Sequence, residues 1–292
     1  MRNTLSKRVR ASELAASMGL PWFGTDVSIS HVRTLDTVDE GALAFANSDL
    51  DQKRHCAATI IAKPGARISK GAVIEADNPR LAFARALHQI ERLAGFRGYE
   101  AEASVGEGAK VSSTAVLGRS VTIGARTVIG ENVVICDGTR IGSDCIIKSN
   151  TVIGEPGFGF ERDENGVPVR IMHLGDVVIG DRVEIGSLNT ICRATLGTTV
   201  VEDDVKTDDH VHIAHNCRIR RGALITACVE LSGGVDVGEF SWIGPNSSLM
   251  QKITVGDGSL VGIGSNVTKP VAKGSTVAGN PARVLRASTD PQ

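Results

Sequence analysis

The chain has 292 residues, with 32 lysines and arginines against 33 aspartates and glutamates, which gives a net charge of −1. This balance excludes the strongly basic surface typical of proteins that bind nucleic acid or anionic membranes. No segment reaches the ~20 consecutive apolar residues of a transmembrane helix, and the N-terminal segment lacks the apolar core of a signal peptide. We therefore expect a cytoplasmic protein with no membrane span and no nucleic-acid partner.

The first part of the chain, residues 1–100, has no regular repeat and predicts a small α/β domain. The segment 58–63, ATIIAK, is typical of a buried strand. Two helix starts are expected from side chains that accept hydrogen bonds from the first helical N–H groups. Ser12 is the predicted cap of the first helix, and Asp77 or Asn78 is the predicted cap of a longer amphipathic helix.

From residue 101 onward the chain is dominated by a period of six. An aliphatic residue recurs at six-residue steps from Val105 to Ile153 and again from Ile213 to Val267, often followed by glycine. An α-helix would need apolar residues at three-to-four spacing. The period instead predicts short strands wound into a prism, with three hexapeptides per coil and the aliphatic side chains inside. We expect this β-helix over residues 101–280, followed by a short tail at 281–292.

An excursion loop is predicted within the β-helix at residues 155–175, because this segment is too polar and too rich in glycine to continue the coils. Long loops on rigid scaffolds often carry function. Phe158 and Phe160 in this loop are expected either to cover a ligand or to pin the loop to the helix.

A second irregularity lies between Ile191 and Ile213, where the steps between aliphatic residues shorten. Leu196, Val201 and Thr207 are the expected inward residues of this coil. Coils that break the repeat are often the ones that carry a functional site.

Histidines are concentrated in the same region, with three of them in DDHVHIAHN, residues 208–216. An imidazole exchanges protons near neutral pH, and a carboxylate can hold its tautomer, so His215 with Asp208 is a candidate base and orienter. Counting one coil of about 18 residues forward from His215 reaches Gly233, whose N–H would face a developing oxyanion. Two other interpretations stay open: polar side chains on a solvated strand, and a metal site formed by His210, His212 and His215.

Five elements carry a specific resemblance, and they occur in the order GALAF (41–45), ADNPRLAFAR (76–85), GFGFERDENG (157–166), GDRVEIG (180–186) and HIAHN (212–216). Together with the hexapeptides they resemble the UDP-3-O-acylglucosamine N-acyltransferase family of lipid A biosynthesis. The resemblance implies a mainly β protein, a left-handed parallel β-helix with a small N-terminal α/β domain that binds the nucleotide. It also implies transfer of an acyl group from a carrier thioester to the 2-amino group of a UDP-linked 3-O-acylglucosamine.

The resemblance assigns the catalytic roles to His215 as general base, Asp208 as its partner and Gly233 as oxyanion donor, with no bound cofactor or metal. The substrate-binding positions that we expect are Phe45, Asn47, Ser48, Phe158, Phe160, His173 and His212. The family's uridine-binding asparagine is displaced by one residue here, and no tyrosine follows it. Lys252 stands where the family has a second histidine.

The resemblance further implies a homotrimer with active sites between subunits, and an acyl donor that is an acyl carrier protein or coenzyme A thioester. The C-terminal segment AGNPARVL resembles the ending of coenzyme A-dependent sugar acetyltransferases. The alternatives are therefore a coenzyme A-dependent N-acetyltransferase of a nucleotide-linked amino sugar for surface polysaccharide, a metal-dependent hydratase of carbonic-anhydrase type, and a catalytically silent scaffold.

Overall fold

The computed structural model describes residues 2–47 and 56–287. The chain forms two compact units, each of them discontinuous in sequence. Unit 1 comprises Met1–Gly98, Gly159–Leu174 and Thr195–Gly197, and unit 2 comprises Tyr99–Phe158, Gly175–Ala194 and Thr198–Gln292. Neither of the two α-helices found in the described ranges is long and apolar enough to cross a membrane.

Unit 1 is built on a six-stranded sheet. Its strands are β1 (Thr4–Arg10), β2 (Trp22–Gly24), β3 (Ser28–Val32), β4 (Ala42–Phe45), β5 (Ala58–Ala62) and β6 (Gly71–Glu75), with a 3-10 helix at Leu35–Thr37. The order across the sheet is β1-β3-β4-β5-β6-β2; the four central strands are parallel, and each outer strand is antiparallel to its neighbour. The strand predicted at 58–63 is confirmed as β5, whose residues are all buried.

Helix α2 (Pro79–Leu93) packs against β4 and β5 of this sheet. Its N-terminus is capped by Asn78, whose side-chain oxygen accepts the N–H of Leu81 at 3.1 Å. Leu87 and Ile90 are fully buried and belong to the apolar core of unit 1. Of the two caps predicted for this helix, Asn78 is confirmed.

Helix α1 (Ala11–Met18) begins at Ala11, two residues earlier than a cap at Ser12 would place its start. Ser12 lies inside the first turn, and its Oγ and N–H donate to the carboxylate of Asp26 at 2.9 and 3.0 Å. The Ser12 cap is therefore wrong: Arg10 holds the cap position, and the carboxylate of Asp26, distant in sequence, accepts the N–H of Ser12 in the first turn.

A hairpin of β7 (Phe160–Arg162) and β8 (Pro168–Arg170) also belongs to unit 1. Arg85 of α2 donates two hydrogen bonds to the carboxylate of Glu164 in the hairpin turn, at 2.9 and 2.7 Å. Because a bidentate guanidinium–carboxylate pair fixes direction as well as distance, it sets the position of the hairpin on α2.

Unit 2 is a parallel β-helix whose short strands form three faces. The first face comprises Ser104–Val105, Thr122–Ile123, Arg140–Ile141, Asp176–Ile179, Thr198–Val201, Arg218–Ile219, Asp236–Val237 and Thr254–Val255. The second face comprises Lys110–Val111, Val128–Ile129, Ile146–Ile147, Glu184–Ile185, Lys206–Thr207, Leu224–Ile225, Trp242–Ile243, Leu260–Val261, Thr276–Gly279 and the antiparallel Ala282–Arg286. The third face comprises Val116–Leu117, Val134–Ile135, Val152–Pro156, Thr190–Arg193, His212–Ile213, Glu230–Leu231, Ser248–Leu249 and Asn266–Val267.

Successive coils of unit 2 pair at a constant repeat of three hexapeptides over most of its length, as for His212 with Glu230. Within a typical strand the first side chain points outward and the second points into the coil: Val128 is 39% exposed and Ile129 is 2% exposed. From Ile123 onward the aliphatic series at six-residue steps forms one continuous buried core, whereas Val105 in the first coil is 48% exposed. The predicted prism of inward aliphatic side chains is confirmed.

Two insertions lengthen this repeat. Arg140 pairs with Val178, although one regular coil counted from Arg140 would end at Phe158. Thr190 pairs with His212, although one regular coil counted from Thr190 would end at Asp208. The second, shorter insertion lies in the coil between Ile191 and Ile213 that the sequence predicts to be irregular.

The inward residues of this irregular coil are only partly as predicted. Val201 and Thr207 are buried in unit 2. Leu196 instead belongs to the apolar core of unit 1, so its predicted place inside the coil is wrong. The inserted residues lie outside the coil at this point. An aliphatic residue that follows the previous one by fewer than six positions therefore need not point into the coil.

Candidate active site

The third face of unit 2 carries a row of polar side chains on three successive coils. Thr190, His212 and Glu230 occupy matching outward positions along this row. The chain turns a corner after each strand, and His215 lies in the corner that follows His212–Ile213. His212, His215 and Glu230 are all half-buried, so a ligand can reach them from solvent.

The ring of His215 is held by the next residue in the chain. Its Nδ1 lies 3.0 Å from the side-chain oxygen Oδ1 of Asn216. Because an amide oxygen only accepts, this contact places the ring proton on Nδ1 and the lone pair on Nε2. Asn216 sits at the corner with φ 62°, a left-handed conformation that asparagine tolerates, and its N–H donates to Oγ1 of Thr199 at 2.9 Å. The corner therefore presents His215 in the tautomer that a general base at Nε2 requires.

Gly233 stands beside this ring on the next coil. A β-carbon built on Gly233 would lie 2.7 Å from Cε1 and 2.9 Å from Nε2 of His215. The N–H of Gly234 donates to the carbonyl oxygen of His215 at 2.9 Å and fixes the stacking of the two corners. The N–H of Gly233 makes no hydrogen bond within the described residues. A donor at this place, next to a base, suits a developing oxyanion.

His212 is the second imidazole of the site. Its Nδ1 lies 2.6 Å from Oγ1 of Thr190. Burial lowers the pKa of His212, the negative charge of Glu230 opposes this effect, and His215 lowers the pKa further. His212 is therefore predominantly neutral at neutral pH and acts as a hydrogen-bonding group.

Glu230 adds a carboxylate to the row. Oγ of Ser232 lies 3.2 Å from each carboxylate oxygen of Glu230 and donates to them. Ser232 directly precedes Gly233, which links Glu230 to the glycine that faces His215. Among the residues that the structure describes, no lysine or arginine forms an ion pair with Glu230.

Asp208, the predicted partner of His215, lies at a different corner, after Lys206–Thr207 of the second face, and is exposed. Its Oδ1 accepts the N–H of Asp209 at 2.8 Å. The position next to Nδ1 of His215 that was expected for Asp208 is taken by Asn216. The catalytic role of Asp208 stays a prediction.

The predicted nucleotide contacts fall in unit 1. Phe45 ends β4, is half-buried, and packs on Phe83 of α2 with ring centroids 4.8 Å apart. Asn47 is exposed. Ser48 lies outside the described residues. The role of these positions in nucleotide binding stays a prediction.

The predicted substrate contacts near the excursion loop are divided between the units. Phe160 belongs to unit 1, and the guanidinium carbon of Arg170 lies 4.5 Å from its ring centroid. His173 is buried in unit 1, with Nδ1 3.0 Å from the carbonyl oxygen of Ile171. Phe158 belongs to unit 2 and is 88% exposed. The contact with Arg170 lies within the hairpin itself, and the substrate-binding role of Phe158, Phe160 and His173 stays a prediction.

Lys252 lies on the same edge as the catalytic candidates. It donates its N–H to the carbonyl oxygen of Gly233 at 3.0 Å, and its Cγ would lie 3.4 Å from a β-carbon on Gly234. Its side chain is exposed, so its ammonium group can meet an anionic ligand. Within residues 2–47 and 56–287, no group of three His, Cys, Asp or Glu side chains is arranged to hold a metal ion.

Comparison with known proteins matches both the repeats and the chain as a whole. Residues 120–155 match the family model described as bacterial transferase hexapeptide (six repeats). The UDP-3-O-acylglucosamine N-acyltransferase of Campylobacter lari (strain RM2100 / D67 / ATCC BAA-1060) is 36% identical over 94% of this chain and 93% of its own length. The chain belongs to the UDP-3-O-acylglucosamine N-acyltransferase family.

Other members of this family match over a shorter stretch. The UDP-3-O-acylglucosamine N-acyltransferase of Caulobacter sp. (strain K31) is 37% identical over 134 residues, which is 46% of this chain and 39% of that relative. The chain thus spans well under half the length of several curated relatives that it matches. A solved structure of a UDP-N-acetylglucosamine acyltransferase from Francisella novicida has 27% identity and a TM-score of 0.48, covering 65% of this chain and 69% of that chain.

Family membership confirms the resemblance found in the sequence and the predicted fold class, a mainly β protein with a left-handed β-helix of hexapeptide repeats and a small N-terminal α/β domain. The roles of individual residues stay predictions.

Two residues of the site were missed in the sequence, Asn216 and Glu230. Asn216 directly follows His215 at a corner, and an asparagine at such a position is a signal for a left-handed turn. Glu230 pairs with His212 from the next coil. The same count of one coil that located Gly233 would have found it.

Proposed function

We propose that the protein transfers an acyl group from a thioester to the 2-amino group of a UDP-linked 3-O-acylglucosamine, as a step of lipid A biosynthesis. The observation that carries the proposal is the stacking of His215 and Gly233 on adjacent coils, with Nε2 next to the position of a hydrogen-bond donor that has no acceptor within the described residues. Membership of the family supplies the reaction class.

His215 acts as the general base in this reaction. The amine nitrogen attacks the carbonyl carbon of the thioester, a C–N bond forms, and Nε2 takes one proton from the nitrogen. The carbonyl oxygen becomes negative and is stabilised by the N–H of Gly233. When the C–S bond breaks, the thiolate leaves and takes the proton from the imidazolium.

Two groups support His215 through this cycle. Asn216 keeps Nδ1 as a donor and thereby keeps Nε2 as the basic nitrogen. Asp208 is assigned a weaker role, in which its carboxylate stabilises the imidazolium that forms during transfer.

The acceptor is assigned to the remaining predicted positions. Phe45, Asn47 and Ser48 bind the uridine. His212 forms a hydrogen bond with the sugar, as donor or acceptor. Phe158, Phe160 and His173 keep the substrate-binding role predicted from the sequence, with no part of the substrate specified. Each assignment is tested by the effect of its alanine variant on KM for the sugar nucleotide.

The donor is an acyl carrier protein or a coenzyme A thioester, both of which present a phosphopantetheine arm. The segment AGNPARVL, residues 278–285, resembles the ending of coenzyme A-dependent sugar acetyltransferases. It favours coenzyme A and, with it, a second candidate function: N-acetylation of a nucleotide-linked amino sugar of surface polysaccharide. Lys252 is exposed on the edge that carries Gly233, where its ammonium group suits the phosphate of either donor.

The working form is proposed to be a cytoplasmic homotrimer. Leu224, Trp242 and Leu260 form an in-register outward row on the second face of unit 2. Leu224 is 43% and Leu260 is 38% exposed in the single chain. Contiguous apolar rows of this kind are typical of surfaces that pack against another chain. Light scattering of the purified protein tests this, and a monomer would contradict it.

The function is tested by offering UDP-glucosamine and UDP-3-O-acylglucosamine with acyl carrier protein thioesters and coenzyme A thioesters, with products identified by mass spectrometry. We expect N-acylation of the 3-O-acylated sugar. Transfer of acetyl from coenzyme A to the unacylated sugar would support the second candidate instead. Absence of transfer with every combination would overturn both.

A further inference from the structure

We propose that Glu230 binds the amino group of the acceptor in its ammonium form and makes the site selective for an amine over a hydroxyl. This inference rests on the proposed function and names the residue that decides which nucleophile is accepted.

Glu230 lies close to the catalytic candidates of the third face. It lies on the outward row of the third face, next to His212 on the neighbouring coil. Its carboxylate accepts from Ser232, and the residue after Ser232 is Gly233, which packs on the ring of His215. The carboxylate therefore belongs to the same small area as the base and the oxyanion donor.

The carboxylate of Glu230 has few stabilising neighbours. A half-buried carboxylate has lost part of its hydration and is stabilised by a cation or by several donors. Within the described ranges Glu230 has the hydroxyl of Ser232 and no ion pair with lysine or arginine. His212 does not supply the positive charge, because burial lowers its pKa in spite of the nearby carboxylate.

A sugar amine carries a proton and a positive charge before it reacts, whereas a hydroxyl carries neither. On binding, the positive ammonium group would neutralise the carboxylate of Glu230. It then releases one proton to solvent, and the neutral amine attacks while His215 takes the second proton as the C–N bond forms and the C–S bond breaks.

Binding measurements separate this role from a structural one. The full chain is titrated calorimetrically with UDP-glucosamine and with UDP-glucose, which differ only in the group at the 2-position, in the absence of any acyl donor. We expect wild-type protein to bind the amino sugar more tightly by roughly tenfold or more, as for a charge-assisted hydrogen bond. Glu230→Gln should abolish this preference, whereas Glu239→Gln, on an exposed corner, should retain it.

The pH dependence keeps the test independent of how well a variant folds. In wild-type protein the preference should disappear as pH rises and the sugar amine loses its proton. Glu230→Asp, which keeps the charge at a shorter reach, should retain part of the preference.

Two results would overturn the inference. If Glu230→Gln kept the wild-type preference, or if the preference persisted at high pH, Glu230 would not bind the ammonium group, while the proposed function would stand. If wild-type protein bound neither nucleotide sugar, the inference would fail, and the proposed function would still be decided by the transfer assay with UDP-3-O-acylglucosamine.

Discussion

A β-carbon on Gly233 would lie 2.9 Å from Nε2 of His215, which is closer than such contacts occur in proteins. We therefore expect Gly233→Ala to displace the imidazole. The variant should lower kcat by roughly 100-fold, because a small displacement of a catalytic group slows the reaction strongly. Steady-state kinetics on purified protein measure this.

The matched control is Gly98→Ala, because a β-carbon there has no atom within 4 Å. It should leave kcat unchanged. Equal kcat values for Gly233→Ala and wild type would show that the ring of His215 is not held where the reaction requires it.

Asn216 is expected to set the tautomer of His215. Asn216→Gly keeps the left-handed corner but removes the amide oxygen that lies 3.0 Å from Nδ1, and it should lower kcat by roughly tenfold or more. Asn216→Asp keeps an acceptor in the same place and should retain most of the activity. If the two variants had the same kcat, the contact with Nδ1 would have no part in catalysis.

Neighbouring isoleucines in one strand of the second face offer a test of the fold. Ile147 points into the coil and is 1% exposed, whereas Ile146 points outward and is 43% exposed. Ile147→Ala should lower the free energy of unfolding by about 2–5 kcal/mol, through lost burial and a residual cavity. Ile146→Ala should lower the free energy of unfolding by clearly less than Ile147→Ala does. Chemical denaturation measures both, and equal losses would contradict the assignment of inward and outward positions.

The pH dependence of unit 1 follows from the ion pair between Arg85 and Glu164. Hydrogen bonds from Arg85 are the largest cause that lowers the pKa of Glu164, to about 2. Because the pKa is lower in the folded state than in the unfolded state, the contribution of this pair to stability is present above the unfolded value. It is lost as pH falls through about 2.

Carboxyl resonances followed by NMR during an acid titration check this expectation. Arg85→Gln should return the pKa of Glu164 toward its ordinary value of 4.5. Arg92→Gln, on an exposed position of the same helix, should leave it low. A titration of Glu164 near its ordinary value in wild-type protein would show that the pair does not form in solution.

Most of unit 2 could be predicted from the sequence because one physical constraint acts at every coil. An inward position must be aliphatic, so a period of six locates the buried series directly, and the regular length of one coil places Gly233 against His215. The α2 cap at Asn78 was predictable for a similar reason, since capping depends on neighbours in the chain.

The sequence was misleading or silent where a contact depends on residues distant in sequence or on the local backbone conformation. Ser12 is bonded to Asp26, which no local signal indicates. Leu196 is one of the inserted residues between Thr190 and His212 and lies outside the coil. The six-residue period does not indicate which residues of such a segment form the insertion. Asn216 stands beside Nδ1 of His215 because the corner adopts a left-handed turn, a detail of backbone conformation rather than of spacing.

The kcat of His215→Ala for N-acylation of UDP-3-O-acylglucosamine, measured together with binding of the sugar nucleotide, decides whether His215 is the base. Loss of a general base predicts a fall in kcat of roughly 100-fold or more, while the dissociation constant for the nucleotide sugar stays close to that of wild type. A kcat within a few-fold of wild type would contradict the assignment of His215 as the base of this reaction.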